Sequence, residues 1–493
     1  MKKNYTHPSI LFWILFAGVA VAALFLVVWK GIFSLVLLGS LFAIWLLSYH
    51  LTFGWYVLVF LSPMIHWFFR FDTYWYLFQD YPQLLDIYAP VVEFWALGLT
   101  IAWIVSLARD WFQGKKVTIF APGLPWFLLF LASAVISLIS LSAADLGEGM
   151  KFIVRVLLLW YVGYVVLGAN IVTNKKILHT SLYLLACTGL LGALMGFASF
   201  FNGAWQIYGF PRSTPFAIFG IAPFGTQHIF LAEVITTTLP LWLYFWYTQK
   251  DQQKQIWLAF ASIFIFSIGL FTLSRAAWVT LFFEVLIFLF LMRKRIDWQR
   301  YSSAVMWGIF LLFPLFSYLL YFLLTSYAAG SSTAARVALT EIAWQFFLNH
   351  PIVGNGVGSF IPLLSDVYAF AVDFGDPIDA HGLGQKLLAE QGILGLLTFS
   401  LFIGWIVYHV FSRYFKKSYT HEARLMSFVF FFLVLSPLIF QLFNTQYYSS
   451  KMWIPIAIAI AGTIVYGKET WSPSFILRLP HVKKKHQVSM RID

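Results

Sequence analysis

Long apolar runs separated by short polar segments make up most of this chain. Each run holds roughly 17–25 residues, which is the length that crosses a bilayer as an α-helix. The runs lack the two-residue alternation of a barrel wall, and backbone groups in lipid must be hydrogen-bonded within the protein, so each run is predicted to be a helix. The pattern predicts an all-α, polytopic membrane protein with about fourteen transmembrane helices. The first run, within residues 10–29, is too long for a cleaved signal peptide and is predicted to be retained.

Two longer polar segments interrupt the apolar pattern. The first, at 202–229, is rich in Gly and Pro and contains Arg212. The second, at 327–388, is long and mixed enough to fold outside the membrane as a mostly helical loop. The chain is therefore predicted to consist of transmembrane helices over 1–326 with the short external segment at 202–229, the large extracytoplasmic loop at 327–388, C-terminal transmembrane helices at 389–467 and a basic cytoplasmic tail at 468–493.

The composition excludes a soluble protein, because a chain that is 61% hydrophobic and 11% charged could not bury so much apolar surface. The net charge of +12 does not indicate nucleic acid, since the basic residues lie in short loops between apolar runs. These basic loops alternate with loops poor in Lys and Arg, so the positive-inside rule places them, and both termini, in the cytoplasm. The segment 202–229, Arg275 and the large loop then share the extracytoplasmic face. The single cysteine, Cys187, excludes a disulfide within the chain. The basic loops are those at 109–116, 174–176, 250–254, 293–300 and 413–424.

Local signals divide the large loop into helices and turns. Ser332 or Thr333 can cap a helix that starts near Arg336, and this helix is predicted to end before Pro351. A cation near a helix N-terminus is unfavourable, so this position of Arg336 would indicate an anionic partner. The sequence GNGVG then predicts a sharp turn. His381 follows, just before a run that is predicted to re-enter the membrane.

The order of these features resembles the O-antigen ligase and O-antigen polymerase family. In the large loop the resemblance is carried by an arginine that opens a helix, NHPIVGNGVGSF, a histidine and AEQGILGL. FTLSRAAW resembles the family's Ser-Arg at the outer end of a span, and GFPRSTPF with FGTQHIFLAE resembles its earlier external segment. The resemblance covers about residues 200–400. The family usually has asparagine after the loop histidine, whereas this chain has Gly382, which bears on how an acceptor is held.

The resemblance implies a GT-C-like membrane enzyme that transfers a glycan from a polyprenyl-diphosphate carrier to an acceptor hydroxyl. It implies an inverting transfer without a metal or another cofactor. The departing diphosphate concentrates negative charge, and arginine suits it because the planar guanidinium donates two parallel hydrogen bonds. Arg212, Arg275 and Arg336 are therefore the candidates for binding the diphosphate, and Arg275 and Arg336 are also candidate catalytic residues. His381 is the candidate general base, because the pKa of imidazole lies near neutrality.

Each of these residues also has a plain structural interpretation. Arg275 can be an arginine that reaches the membrane interface from a span end, and Arg336 can be a solvated helix residue. Arg212 can cap a loop, and His381 can be an ordinary loop histidine. Four further residues can support these side chains without touching the substrate, although a purely structural role is favoured for each of them, namely His228, Glu233, Tyr368 and Lys386.

The sequence leaves several functions open. A ligase would use a glycolipid acceptor at the outer face of the cytoplasmic membrane, a polymerase would use a second lipid-linked glycan, and a third class of enzyme would use protein hydroxyls. A transporter of lipid-linked oligosaccharides would need charged residues in mid-span and broken helices. Most charges lie at span ends, with four exceptions that are deeper, namely Glu93, Arg155, Glu233 and Glu284. The large loop does not match that of peptidoglycan glycosyltransferases of the shape-and-division type.

Overall fold

The structure is a computed structural model, and most of the chain that it describes is helical. Eight helices of the described part are long and apolar enough to cross a membrane, and a bent pair makes a possible ninth. The predicted run at 10–29 lies outside the described residues, so the predicted number of fourteen stays a prediction. The described residues are 32–70, 88–142, 145–202, 212–293, short pieces between 310 and 325, 327–413, 420–467 and 474–479.

The helices follow the apolar runs along the chain. In chain order they are α1 (Ile32–Leu47), α2 (Leu51–Leu61), α3 (Val91–Phe112), α4 (Leu124–Ser137), α5 (Leu146–Arg155), α6 (Leu167–Ile171), α7 (Lys175–Ala198), α8 (His228–Thr248), α9 (Gln252–Phe271), α10 (Arg275–Met292), α11 (Tyr327–Asn349), α12 (Phe360–Ser365), α13 (Tyr368–Phe374), α14 (Leu383–Ser412), α15 (His421–Gln441) and α16 (Ser450–Gly467). A π-helical segment, Val156–Val166, joins α5 to α6, so that one span runs over Leu146–Ile171. The bent pair consists of α1 and α2, whose axes differ by 107°.

In the described part of the chain, four short strands depart from the all-α prediction. β1 (Phe68–Arg70) pairs antiparallel with β2 (Tyr88–Pro90), and β3 (Val117–Pro122) pairs antiparallel with β4 (Ser474–Leu479). The second pair joins the segment after α3 to a segment near the C-terminus, within the tail that was predicted only as basic. Its strands are more than 300 residues apart, so no local pattern could predict that they pair.

The centre of the helix bundle is α16. Its residues from Met452 to Ala461 are at most 1% exposed, as expected for a helix that is apolar on all sides and surrounded by others. Trp453 of α16 stacks on Trp160 with the ring centroids 4.1 Å apart, and Phe402 of α14 packs beside both rings. Because α14 packs into this centre, the bundle holds α14 in place. The same helix begins just after His381.

The large loop has its own small core. Leu339 and Ala343 of α11 pack with Phe360, Leu364 and Phe370 of the two short helices. The predicted end of α11 before Pro351 is confirmed, since the helix ends at Asn349. The predicted start is wrong. The helix already begins at Tyr327, because YAAGSSTAA continues it without a break. Ser332 and Thr333 are therefore interior helix residues and not caps.

Candidate active site

The first element of the site is the start of α10. The hydroxyl of Ser274 caps this helix by accepting a hydrogen bond from the backbone N–H of Ala277 at 3.4 Å. Arg275 is the first helical residue, and it is half-buried. Its guanidinium donates a hydrogen bond to the hydroxyl of Thr333 at 2.8 Å. This bond ties the start of α10 to the large loop.

Arg336 lies one turn after Thr333 on α11. It is half-buried, and its Nε atom has no hydrogen-bond partner among the described residues. Burial lowers the pKa of the Arg336 guanidinium, and the positive charge of Arg275 lowers it further. The two arginines therefore lie close enough to repel each other. A half-buried pair of like charges is unfavourable by itself and becomes favourable when an anion lies between them.

The repulsion between Arg275 and Arg336, and not a helix terminus, indicates an anionic partner. The prediction that Arg336 lies near a helix N-terminus is wrong, because Arg336 is well inside α11, which already includes Tyr327. The effect of a helix dipole falls off within the first turn.

The third arginine reaches the same place from the segment before α8. The guanidinium of Arg212 donates to Nε2 of His228 at 2.6 Å and to the carbonyl of Thr272 at 3.2 Å. Because arginine cannot accept a hydrogen bond, Nε2 of His228 is the accepting nitrogen and the imidazole is neutral, with its proton on Nδ1. His228 also lies within electrostatic range of Arg336. Arg212, Arg275 and Arg336 thus surround one region.

His381 lies within electrostatic range of Arg336, in the loop that precedes α14. Burial lowers the pKa of His381, the charge of Arg336 lowers it further, and Asp379 raises it. The imidazole is consequently neutral at pH 7, as a general base requires. Gln385 in the first turn of α14 donates to the Thr340 hydroxyl at 2.8 Å, and this bond fastens the start of α14 to α11. The structure therefore brings all four predicted site residues to one place.

An apolar cavity opens next to Arg275. Its volume is about 910 Å³. Arg275 stands among mainly apolar walls contributed by Trp278 and Val279 of α10 and by Ala334 and Val337 of α11. The cavity thus combines two charged residues, Arg275 and Glu341, with a surface that suits a hydrocarbon chain. Among the residues that the structure describes, no group of three His, Cys, Asp or Glu side chains is arranged to hold a metal ion.

The GNGVG turn docks on a break in α14. The helix leaves its regular path at Gly392, which has φ 62°. The turn fills this break, with the N–H of Asn355 donating to the carbonyl of Ala389 at 3.0 Å and the N–H of Gly356 donating to that of Glu390 at 2.8 Å. Gly354 has φ +74°, and a Cβ atom there would lie 2.3 Å from the backbone nitrogen of Gln391. The predicted turn is confirmed, and glycine at 354 is required by both its backbone angle and its contact.

Gly354→Ala is expected to destabilise the protein by at least about 1–2 kcal/mol, the cost of a left-handed backbone for a residue with a Cβ atom, with the overlap adding to it. The matched control is Gly384→Ala. Gly384 lies in the first turn of α14 with open space at the position of a Cβ atom, so alanine there should be neutral or slightly stabilising. Thermal unfolding of the two purified variants in detergent tests this difference. Equal midpoints would contradict it.

Gly382 is explained by packing. A Cβ atom at this position would lie 2.9 Å from the carbonyl oxygen of Leu442, which follows α15. The asparagine that the family usually has here would push these two segments apart. In this chain the loop after His381 instead lies directly against the end of α15.

The structure shows what the four further residues named in the sequence contact. His228 is bound to Arg212, and Lys386 is a buried partner of Asp379. Glu233 is buried and forms an ion pair with Lys451. Tyr368, by contrast, is 81% exposed on α13. The sequence did not show the partner of Lys386.

Residues 239–400 match the family model described as O-Antigen ligase. The match supports the O-antigen ligase and polymerase family. The resemblance seen in the sequence is thereby confirmed, and the matched residues include Arg275, Arg336 and His381 but not Arg212. The similarity to this family suggests a membrane glycosyltransferase type of activity, and the long apolar helices fit a multi-pass membrane protein. A comparison with curated proteins gave no match.

Proposed function

We propose that this protein transfers a glycan from a polyprenyl-diphosphate carrier to an acceptor hydroxyl at the extracytoplasmic face of the cytoplasmic membrane. The observation that carries the proposal is the convergence of Arg212, Arg275 and Arg336 beside a neutral His381. Repelling arginines favour a multiply charged anion, and a diphosphate satisfies several guanidinium donors at once. The apolar cavity beside Arg275 suits the polyprenyl chain of the same molecule.

The chemistry assigned to these residues is a single displacement. The acceptor oxygen attacks the anomeric carbon of the glycan on the face opposite the diphosphate, and its proton passes to His381. The bond between the anomeric carbon and the diphosphate oxygen breaks, and the polyprenyl diphosphate leaves with the bonding electrons. The arginines stabilise the negative charge that develops on it. One displacement inverts the configuration at the anomeric carbon.

The charge of the loops predicts the side of the membrane on which the site lies. With both termini in the cytoplasm, the large loop, the segment before α8 and the start of α10 all lie on the outer side. The large loop, 327–388, would then be the extracytoplasmic part that carries His381. We assign the protein to the cytoplasmic membrane on the same argument.

A transporter is the alternative from another class. Three of the four deep charges form ion pairs, since Arg155 binds Glu93 and Lys451 binds Glu233. These pairs join neighbouring helices near the ends that are predicted to be external, and paired charges of this kind fasten helices together. They therefore favour the enzyme over a transport path.

Reconstitution of the purified protein with a polyprenyl-diphosphate oligosaccharide and EDTA tests the proposal. Release of polyprenyl diphosphate that depends on an acceptor is the expected result. A single adduct with a glycolipid would identify a ligase, and a ladder of longer lipid-linked glycans would identify a polymerase. Movement of the lipid across the bilayer without any release would refute glycan transfer and favour the transporter.

A further inference from the structure

Lys386 lies inside the protein between two carboxylates. It belongs to the first turn of α14, and its side chain is 6% exposed. Its Nζ atom donates to both oxygens of Asp379, at 2.8 and 2.6 Å, and lies 3.6 Å from Oε1 of Glu390, one turn further along α14. A buried ammonium needs such partners, so Lys386 fixes the two carboxylates relative to each other.

Each carboxylate also holds a piece of backbone. Oδ1 of Asp379 accepts a hydrogen bond from the N–H of Ala380 at 2.9 Å, directly before His381. Oε1 of Glu390 accepts from the N–H of Phe360 at 3.2 Å, where the chain leaves the glycine turn. Lys386 thereby connects the backbone beside His381 to the helix and turn that re-enter the bundle.

The segment around His381 needs such a connection. Residues 375–382 form neither helix nor strand, so regular secondary structure does not set the position of the imidazole. A catalytic group on a loop keeps a useful distance to its substrate only when side-chain contacts hold it.

We infer that Lys386 is a positioning residue, whose ion pair with Asp379 holds the loop and the His381 imidazole beside Arg336. The inference rests on the proposed function, in which His381 accepts the proton of the acceptor hydroxyl. It adds a residue that acts through Asp379 and does not itself touch the substrate.

The same contacts set the charge around His381. Burial and Arg336 lower the pKa of His381, and Asp379 raises it. Lys386 faces Asp379, Glu390 and the hydroxyl of Tyr448, and it offsets part of the negative charge of Asp379. Removing the ammonium therefore exposes His381 to the full charge of Asp379 and raises the pKa of His381. Removing the Asp379 charge lowers it.

The test compares Lys386→Met and Asp379→Asn in the reconstituted full-length protein. For Lys386→Met we expect kcat to fall roughly 10- to 100-fold, since a displacement of about 1 Å can cost about 100-fold, while donor affinity stays nearly unchanged. The acid limb of kcat/KM should move to higher pH in Lys386→Met and to lower pH in Asp379→Asn. Lys386→Arg keeps the charge and should retain most of the activity.

Two further variants make the result decisive. Lys151→Met is the matched control, because Lys151 is 74% exposed and pairs with Glu148 at the surface, where such a pair contributes little. The double variant Lys386→Met/Glu390→Gln also removes the carboxylate that would be left buried without its cation, so it should fold better than Lys386→Met. The acid limb of its kcat/KM should move to higher pH, as in Lys386→Met.

These measurements distinguish a failure of the proposed function from a failure of the role inferred for Lys386. A wild-type protein that transfers no glycan would overturn the proposed function and this inference with it. If the wild type is active and Lys386→Met has the same kcat, this inference alone is overturned. The same holds if Lys386→Met and Asp379→Asn both lose activity but do not shift the acid limb of kcat/KM in opposite directions.

Discussion

His381→Ala is expected to lower kcat by about 10²–10⁴-fold, the usual contribution of a general base, while the affinity for the donor stays nearly unchanged. The reason is the position of the imidazole in the loop before α14, where Arg336 is the only one of the three arginines that shifts the pKa of His381. Without it, the acceptor hydroxyl loses its proton only to water. Single-turnover transfer and equilibrium binding of the donor, measured on the same preparation, separate the two effects.

His350→Ala is the control for this substitution. His350 is an exposed histidine of the same loop, just after the end of α11, and its backbone carbonyl, which accepts from Gly354, is unchanged by the substitution. Its replacement should leave transfer at the wild-type rate. If His381→Ala weakened donor binding as severely as it slowed turnover, His381 would be a binding residue and not the base.

The pH dependence of wild-type transfer follows from the same residue. The base must be unprotonated, and burial and Arg336 place the pKa of His381 below its ordinary value of about 6.5. The value of kcat/KM should therefore be level around pH 7 and fall only at lower pH, as His381 takes up a proton. A limb centred above pH 7 would contradict this assignment.

Local signals predicted the parts of the site that depend on backbone geometry. The glycines of GNGVG and the proline after His350 fix a turn and a helix end whatever the rest of the fold does. The start of α11 was mispredicted because the helix continues through Ser332 and Thr333 from Tyr327, so the cap preference of these two residues did not decide where it begins. Thr333 instead receives the hydrogen bond from Arg275, a contact between segments 58 residues apart in the sequence.

Contacts between distant segments are what the sequence could not supply. The family resemblance named Arg212, Arg275, Arg336 and His381 as one site, yet it did not show that Arg275 and Arg336 repel each other. It also gave no role to Lys386, because the partner of a buried charge is known only once the loop lies on α14. The sequence did not predict the pairing of β3 with β4 for the same reason.

Arg336→Ala is expected to weaken donor binding roughly 10- to 100-fold, since a hydrogen bond to a charged group contributes about 1.5–3 kcal/mol. Arg275→Ala should have an effect of the same order. Both arginines face the same proposed diphosphate. Removing one of them also removes a like charge from beside the other. The double variant should therefore lose less affinity than the product of the two single losses. Equilibrium binding of the polyprenyl-diphosphate oligosaccharide measures all three.

Lysine at either position separates charge from geometry. Arg336→Lys and Arg275→Lys keep the positive charge but lose the planar pair of donors, so they should restore only part of the affinity. Full restoration by both would show that the diphosphate is not bound through paired hydrogen bonds. Lys115→Ala serves as the control, since Lys115 is 59% exposed and paired with Asp110 in a loop predicted to be cytoplasmic.

Arg336 also links donor binding to proton transfer. Its charge lowers the pKa of His381, so Arg336→Ala should raise that pKa and move the acid limb of kcat/KM to higher pH, whereas Arg336→Lys should leave it near the wild-type position. Arg275→Ala should weaken binding with a much smaller shift, because Arg275 is not among the charges that set the pKa of His381. Equal shifts in the two alanine variants would show that Arg336 has no special relation to the base.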